Sequence, residues 1–233
     1  MAVSESDEGS LRISPESVGG TLAAGALLLV VLAVVGQYYR WQGVEHYLIG
    51  QFDLDAEKNP PALYAASLLF LSAVVSALVA HTEKGGEWVW HWQLLTVGFL
   101  VMSVDEAFSF HEKLIEPSRN LLGDDYPLVF HFAWVVPALV LVAVLSVVFL
   151  SFLRALPRAT RRRFVVAALT YLGGAVGMEM IGGRYYALYG SDFPQSLIAI
   201  AEEGMEMTGL CIFIYATLRH LAGARTRIVL RFA

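Results

Sequence analysis

The chain has 233 residues, of which 57% are hydrophobic and only 16% are charged. A soluble domain of this size has roughly a quarter of its residues charged, so the composition excludes the ordinary soluble globular class. The single cysteine excludes a disulfide scaffold. The sequence also contains no Walker loop, no Rossmann fingerprint and no nucleic-acid-binding module. The formal net charge of −5 identifies no partner by itself, because the basic residues are distributed unevenly between the loops.

Six apolar segments are long enough to cross a hydrocarbon core, which takes about 20 residues as a helix. Their apolar residues form continuous runs, whereas barrel strands alternate over about 10 residues. The predicted fold class is therefore all-α, a polytopic membrane bundle of six transmembrane helices over residues 18–221, with a polar tail at 1–17 and a basic tail at 222–233. The predicted spans are Val18–Tyr39, Pro61–Ala80, Trp88–Phe110, Leu128–Phe152, Phe164–Tyr186 and Ser196–Leu218.

The first apolar run is predicted to be a retained membrane helix and not a signal peptide. The charged residues of its leader, Met1–Glu16, are mostly acidic, and the leader contains one basic residue, Arg12. A signal peptide needs a basic region before its apolar run and a small-residue cleavage site after it. Neither feature is present in a clear form.

The second and fourth loops, together with the two termini, set the expected orientation. Short cytoplasmic loops carry an excess of Lys and Arg, and the face with both termini would hold most of these residues. We therefore expect both termini to be cytoplasmic, in a bacterial inner membrane, with membrane lipid as a partner. The basic residues on that face are Arg12, Lys84, Arg154, Arg158, Arg161, Arg162, Arg163, Arg219, Arg225, Arg227 and Arg231, against Arg40, Lys58, Lys113, Arg119 and Arg184 on the other.

The third span ends in the polar sequence Asp105–Glu112. In a continuous helix Asp105 and Glu112 lie on one stripe, while Glu106 and His111 flank that stripe on opposite sides. Glu106 and His111 would face one point only if the helix loosened near its end. Asp105 and Glu112 are therefore the stronger candidates for inward-facing groups.

The last three spans bring further polar groups to a similar depth. The fourth begins with His131, the fifth carries Glu179 about two-thirds of the way across, and the first half of the sixth contains Glu202, Glu203 and Glu206 on one helical face. Four helices would thus deliver seven carboxyl groups and two histidines near the outer leaflet. This convergence is the main functional signal in the sequence.

Carboxylates at this depth need compensation. One acid at mid-membrane costs about 2.5–3.5 kcal/mol, so seven would cost on the order of 20 kcal/mol if left alone. Protons, basic partners or a bound cation would remove this cost, and basic partners are few. A solvated vestibule, or a purely structural network through Arg184 and His131, is the alternative interpretation.

A short repeat links the fifth and sixth spans, since Gly177–Gly182 and Gly204–Gly209 both begin Gly-Met-Glu-Met. The glycines, together with Gly173, predict close helix packing. A Cu(I) site on the Met thioethers is chemically conceivable, but packing is the favoured interpretation.

The motif D-E-A-x-x-x-H-E at Asp105–Glu112, followed by E-E-x-x-E at Glu202–Glu206, resembles a group of uncharacterised bacterial multi-pass membrane proteins. The resemblance covers about residues 61–221. It implies that these residues form a unit, and it implies no activity.

The leading hypothesis is a metalloprotein with a mono- or dinuclear site of Fe, Zn or Mn, because oxygen donors with one or two imidazoles suit these ions. It would be a membrane oxidoreductase or hydrolase acting on a hydrophobic small molecule, with Glu106 and Glu203 as catalytic residues that either support the metal ligands or carry protons. The set of donor side chains matches that of di-iron bundle proteins, but no Glu-x-x-His pair is present.

Two alternative functions stay open: a proton- or divalent-cation-coupled transporter, and a non-catalytic subunit of a membrane complex. A homo-oligomer is also possible from the sequence, and no nucleic-acid partner is expected. The predicted metal ligands are Asp105, His111, Glu112, His131, Glu179, Glu202 and Glu206.

Overall fold

The computed structural model describes residues 14–123 and 125–223, which form an all-helical protein without a strand in those ranges. Most of the two predicted tails, residues 1–13 and 224–233, lies outside the described residues. Short 3₁₀ turns lie at His111–Leu114 and Leu128–Phe130. The α-helices are α1 (Pro15–Trp41), α2 (Tyr47–Gln51), α3 (Pro60–Thr82), α4 (Val89–Phe108), α5 (Ile115–Leu122), α6 (Val135–Ala155), α7 (Arg158–Leu172), α8 (Glu179–Tyr189) and α9 (Phe193–Gly223).

Two long helices begin with the same local signals. The side chain of Ser14 accepts a hydrogen bond from the backbone N–H of Ser17 at the start of α1, and that of Asn59 accepts one from Ala62 at the start of α3. Each cap is followed by proline, whose missing N–H costs nothing in the first turn. Both helices therefore start a few residues before the predicted apolar spans.

The core lies between α3, α4, α7 and α9, and α9 contacts most of the other helices. Its buried side chains include Met207, Leu210 and Ile214. By contrast, α1 and α6 expose most of their apolar residues, and α6 buries only Val135 and Phe152. Helices that are apolar on an exposed face are typical of proteins surrounded by lipid.

Length and composition identify four helices that could cross a membrane: α1, α3, α6 and the continuous stretch Arg158–Tyr189. A fifth candidate is the bent pair formed by α4 and the segment His111–Leu122. The coarse prediction of an all-helical protein with several potential spans is confirmed. The count of six is not established by these criteria.

The predicted third span is interrupted just after its acidic residues. The helix α4 ends at Phe108, Ser109 adopts a left-handed backbone with φ of +50°, and the following segment turns away by 86°. The continuous helix expected over Trp88–Phe110 therefore ends two residues early. This bend is the loosening that allows Glu106 and His111 to approach one site.

The predicted fifth span contains a π-helical turn, Gly173–Met178, between α7 and α8. A Cβ on Gly174 would lie 2.7 Å from the carbonyl oxygen of Glu202, so glycine is required for this contact with α9. A Cβ on Gly177 would meet nothing within 4 Å. The expectation that Gly177 mediates close packing is wrong, because the π-turn rotates Gly174 towards α9.

Candidate functional site

Five glutamates converge at one end of the bundle, and we call them the Glu cluster. They come from three separate helices: one from α4, one from α8 and three from α9. Their side chains are half-buried and are not sealed in the core. The cluster consists of Glu106, Glu179, Glu202, Glu203 and Glu206.

Glu179 and Glu202 form one half of the Glu cluster. Their carboxyl groups lie within hydrogen-bonding reach of each other. The indole Nε1 of Trp134 donates a 2.7 Å hydrogen bond to Glu179 Oε1. Because Glu179 is the first residue of α8, directly after the π-turn, the backbone distortion positions this carboxyl. Two carboxyl groups at this separation need a proton or a cation between them.

Glu106, Glu203 and Glu206 form the other half. Glu206 faces Glu106 and lies beside the phenol of Tyr171, which α7 supplies. Glu203 faces both of these glutamates. The phenol provides a hydrogen-bond donor that a carboxylate can accept, but it supplies no positive charge.

His111 lies beside the Glu cluster and is held by Asp105. Its Nδ1 is 2.7 Å from Asp105 Oδ2, and its backbone N–H donates to Asp105 Oδ1 at 2.8 Å. The ring of His111 packs against Trp134 with centroids 4.8 Å apart. Asp105 therefore contacts His111 with both carboxyl oxygens, and Nε2 is the free nitrogen of the imidazole.

A loop between α2 and α3 places two further acids near the Glu cluster. Asp55 lies near Glu179 and Glu112, and Glu57 lies near Glu106. Burial together with the charge of Asp53 and these other acids raises the pKa of Asp55 to about 6. The side chain of Asp55 is nevertheless partly open to solvent, so water screens part of this repulsion.

The same loop is anchored at both ends. Asp53 forms a 2.8 Å ion pair with Arg40 of α1, and its carbonyl oxygen accepts a hydrogen bond from Asn59 Nδ2 at 2.6 Å. Leu54 is buried in the core. The loop is therefore part of the folded unit and places its acids at a fixed position.

Across residues 14–123 and 125–223, no Lys or Arg forms an ion pair with any member of the Glu cluster. Arg184, the nearest basic residue in the sequence to Glu179, is exposed and lines a separate groove with Tyr185 and Tyr189. Protons or a bound cation must therefore neutralise the repulsion between the carboxylates of the Glu cluster.

Two of the predicted ligands lie outside the cluster. Glu112 is exposed and lies near Asp55. The ring of His131 packs against Tyr186 at 5.3 Å, and its carbonyl oxygen accepts a 2.7 Å hydrogen bond from Arg119. Burial, together with the charge of Arg119, lowers the pKa of His131. Within the described residues, no group of three His, Cys, Asp or Glu side chains is arranged to hold a metal ion.

Sequence reasoning missed Tyr171, Asp55 and Glu57. The topology contained a signal for the two acids, because the loop after the first span reaches the same membrane face as the end of the third. For Tyr171 the sequence contained no comparable signal, since tyrosine within an apolar helix is usually a packing residue.

The opposite half of the bundle contains packed aromatic rings. The ring of Phe213 lies in tilted contact with those of Phe99 and Phe164, at centroid distances of 4.7 Å and 5.0 Å. At the far end Glu83 accepts a 3.0 Å hydrogen bond from Trp92 Nε1 and lies 3.1 Å from His220 Nε2. About 21 Å of α4 separates Trp92, the partner of Glu83, from Glu106 of the Glu cluster, given 1.5 Å per residue.

Comparison with curated proteins and with solved structures finds no match. A family model matches residues 21–221, from α1 to the end of α9. This range includes every residue of the Glu cluster together with Asp105, His111 and Tyr171. The chain belongs to the family described as a domain of unknown function, DUF8692.

Proposed function

We propose that this chain is an integral membrane protein that binds a divalent metal ion at the Glu cluster. One observation carries the proposal: five half-buried carboxyl groups from three helices meet without a Lys or Arg ion pair among the described residues. Buried carboxylates are maintained in proteins when protons, basic groups or metal ions neutralise them. A divalent cation would neutralise two of them at once.

The arrangement of His111 supports a metal ion over protons alone. Histidines that ligate metals almost always donate their other ring N–H to a carboxylate, which is the arrangement of His111 Nδ1 and Asp105. We infer that His111 binds through Nε2 and that Asp105 orients it. Because no three donors are preassembled among the described residues, carboxyl side chains of the cluster would have to rotate on binding.

The donor set favours Fe, Mn or Zn. Carboxylate oxygens and one imidazole suit these ions, whereas Cu(I) prefers sulfur. The proposed ligands besides His111 are Glu179, Glu202 and Glu206. Glu106 and Glu203, which adjoin them, would serve as proton carriers.

We infer that the metal serves catalysis rather than transport. Transport needs a polar path to both faces, while the rings of Phe99, Phe213 and Phe164 pack together in the half of the bundle beyond the Glu cluster. A bound ion at the Glu cluster can polarise a substrate oxygen or activate water. The reaction class would be oxidation or metal-assisted hydrolysis of a lipid-soluble substrate that reaches the outer half of the bilayer.

The proposal includes six membrane spans with cytoplasmic termini. The fifth and sixth would be α4 and α9. At 31 residues α9 is about 46 Å long, which exceeds a hydrocarbon core of about 30 Å. Its glutamates lower its hydropathy below that of an ordinary span. Reporter fusions at the loop Thr82–Trp88 and at the C-terminus should both report a cytoplasmic location, and a fusion in the loop between α5 and α6 should report the opposite face. A cytoplasmic α5–α6 loop, or opposite locations for the first two fusions, would refute six spans.

Elemental mass spectrometry on protein purified in detergent without chelators tests the metal. We expect a stoichiometric amount of Fe, Mn or Zn, lost in Glu206→Gln, which keeps side-chain volume but removes a charge. Glu45→Gln is the matched control, because Glu45 is exposed in the loop before α2. Equal metal content in both variants would refute the site. A metal-free wild type would refute metal binding and direct attention to proton-coupled transport.

A further inference from the structure

A long apolar groove lies on the far side of α9 from the Glu cluster. It runs between α1 and α9 and has a volume of about 900 Å³. Small residues form much of its floor, including Gly20, Ala23 and Gly204. The part of α1 that lines the groove runs from Glu16 to Val34, which is about 27 Å at 1.5 Å per residue. The groove is therefore nearly as long as a hydrocarbon core is thick.

One end of the groove is charged, and the rest of its lining is uncharged. Glu16 lines this end, and Arg219 Nη1 lies 2.7 Å from Glu16 Oε1. Tyr215 also lines the groove, and the guanidinium of Arg163 lies over its ring at 5.5 Å. Two guanidinium groups thus stand at the end where α1 begins.

Both arginines have N–H donors that remain available to bind an anion. Glu16 accepts from a single nitrogen of Arg219, and a guanidinium has five N–H donors. The ion pair is also exposed, at 45% and 56% of the two side chains, so it is weakly held. Among the described residues no carboxylate is paired with Arg163.

We propose that this groove binds one anionic phospholipid, with an acyl chain along α1 and the phosphate at Arg163 and Arg219. The apolar length matches a hydrocarbon chain, and the two guanidinium groups at one end match a phosphate, which arginine binds through paired donors. The carboxylate of Glu16 repels the phosphate but also holds Arg219 at the mouth. The site is separate from the Glu cluster, so lipid binding and metal content can be measured independently.

Native mass spectrometry of the full chain in detergent tests the proposal, using phosphatidylglycerol and phosphatidylcholine with identical chains as probes. We expect phosphatidylglycerol to bind more tightly. Arg163→Gln and Arg219→Gln should each weaken phosphatidylglycerol binding about fivefold, as expected for one basic residue at a membrane surface, and leave phosphatidylcholine unchanged. Arg162→Gln is the matched control, since Arg162 is exposed and, among the described residues, forms no ion pair or cation–π contact with a residue that lines the groove.

A second pair of variants tests the groove itself. A Cβ on Gly20 meets nothing within 4 Å, so Gly20→Leu should fill the groove without a clash at Cβ. It should lower binding of both lipids, whereas Ala24→Leu on another face of α1 should not. No preference for phosphatidylglycerol, or a preference that survives both arginine variants, would overturn the proposal. Wild-type lipid binding by Gly20→Leu would also overturn the proposal.

Discussion

The carboxylate of Asp105 holds His111 at two points, accepting a hydrogen bond from its backbone N–H at 2.8 Å and lying 2.7 Å from its ring Nδ1. The double contact bridges the left-handed Ser109, where α4 ends. It fixes the ring nitrogen that carries the proton, because Nδ1 must be the donor to a carboxylate. The pair therefore sets both the path of the chain and the chemistry of His111.

Asp105→Asn should disrupt this chemistry with little change in shape. The amide oxygen can still accept the backbone N–H, but the amide NH₂ in place of Oδ2 cannot accept from Nδ1. The imidazole would then carry its proton on Nε2, which could no longer bind a metal. We expect affinity for the metal to fall about 10- to 100-fold, the usual cost of losing such a partner. Competition with a chelator measures it.

Retention of the Asp105→Asn fold can be checked by circular dichroism, because the backbone hydrogen bond is kept. Asp125→Asn supplies the control on an acid that lies in the loop after α5. Equal metal affinity in Asp105→Asn and wild type would show that His111 is not a ligand.

The sequence predicted the main helices because each is a long apolar run, and it predicted the meeting of acids because their depths match. It could not predict the turn after Phe108 or the π-turn at Gly173–Met178, since both depend on tertiary contacts. The left-handed Ser109 is stabilised by Asp105 holding His111, and the π-turn brings Gly174 onto α9. Helical periodicity assumes a regular helix, so it misjudged Glu106 and Gly177, each at such an irregularity.

Gly174→Ala should destabilise the protein and displace the site. The added Cβ would lie 2.7 Å from Glu202 O and 3.0 Å from Glu206 Cγ, and backbone atoms cannot move away cheaply. Such overpacking costs about 1–3 kcal/mol. Thermal unfolding in detergent measures the loss of stability. Metal content should fall as well, because the added Cβ would displace both glutamates from their positions in the site.

The control is Gly177→Ala, three residues later in the same π-turn, where a Cβ meets nothing within 4 Å. Alanine favours helix by up to about 1 kcal/mol over glycine, so this variant should match or exceed the wild type in stability. Equal loss in the two variants would mean that the turn itself, and not the contact with Glu202, needs glycine.

Asp55 should make stability depend on pH in metal-free protein. Its pKa in the folded state is about 6, above its usual 3.8, so its proton is bound more tightly when the chain is folded. The resulting stabilisation is complete below about pH 4 and is lost as pH rises through 6. Partial exposure of the side chain to solvent reduces the size of this effect.

We therefore expect Asp55→Asn to unfold at a higher temperature than the wild type at pH 8, with a smaller difference at pH 5. Thermal unfolding of chelator-treated protein at both pH values measures this, and Glu116→Gln, exposed on α5, is the control. A difference between Asp55→Asn and wild type that does not change with pH would contradict the assignment.

Glu83 has a structural role at the opposite end of the bundle. It accepts from Nε1 of Trp92, whose side chain is fully buried, and it lies 3.1 Å from His220. Glu83→Ala would leave the indole N–H without its acceptor, which costs about 1–3 kcal/mol. Glu83→Gln keeps an acceptor oxygen and should lose much less. Thermal unfolding in detergent ranks the variants, with Glu87→Ala, exposed in the next loop, as the control.

Variants at the two ends of the bundle separate structure from function. Glu83→Ala should lower the unfolding temperature while keeping metal content per folded molecule, since about 21 Å of α4 lies between its partner Trp92 and Glu106. Glu206→Gln should do the reverse, losing metal while leaving metal-free stability equal or higher, because it removes one of several repelling carboxylates. Metal loss in folded Glu83→Ala would instead indicate a path joining the two ends, and the transporter would then be the better hypothesis.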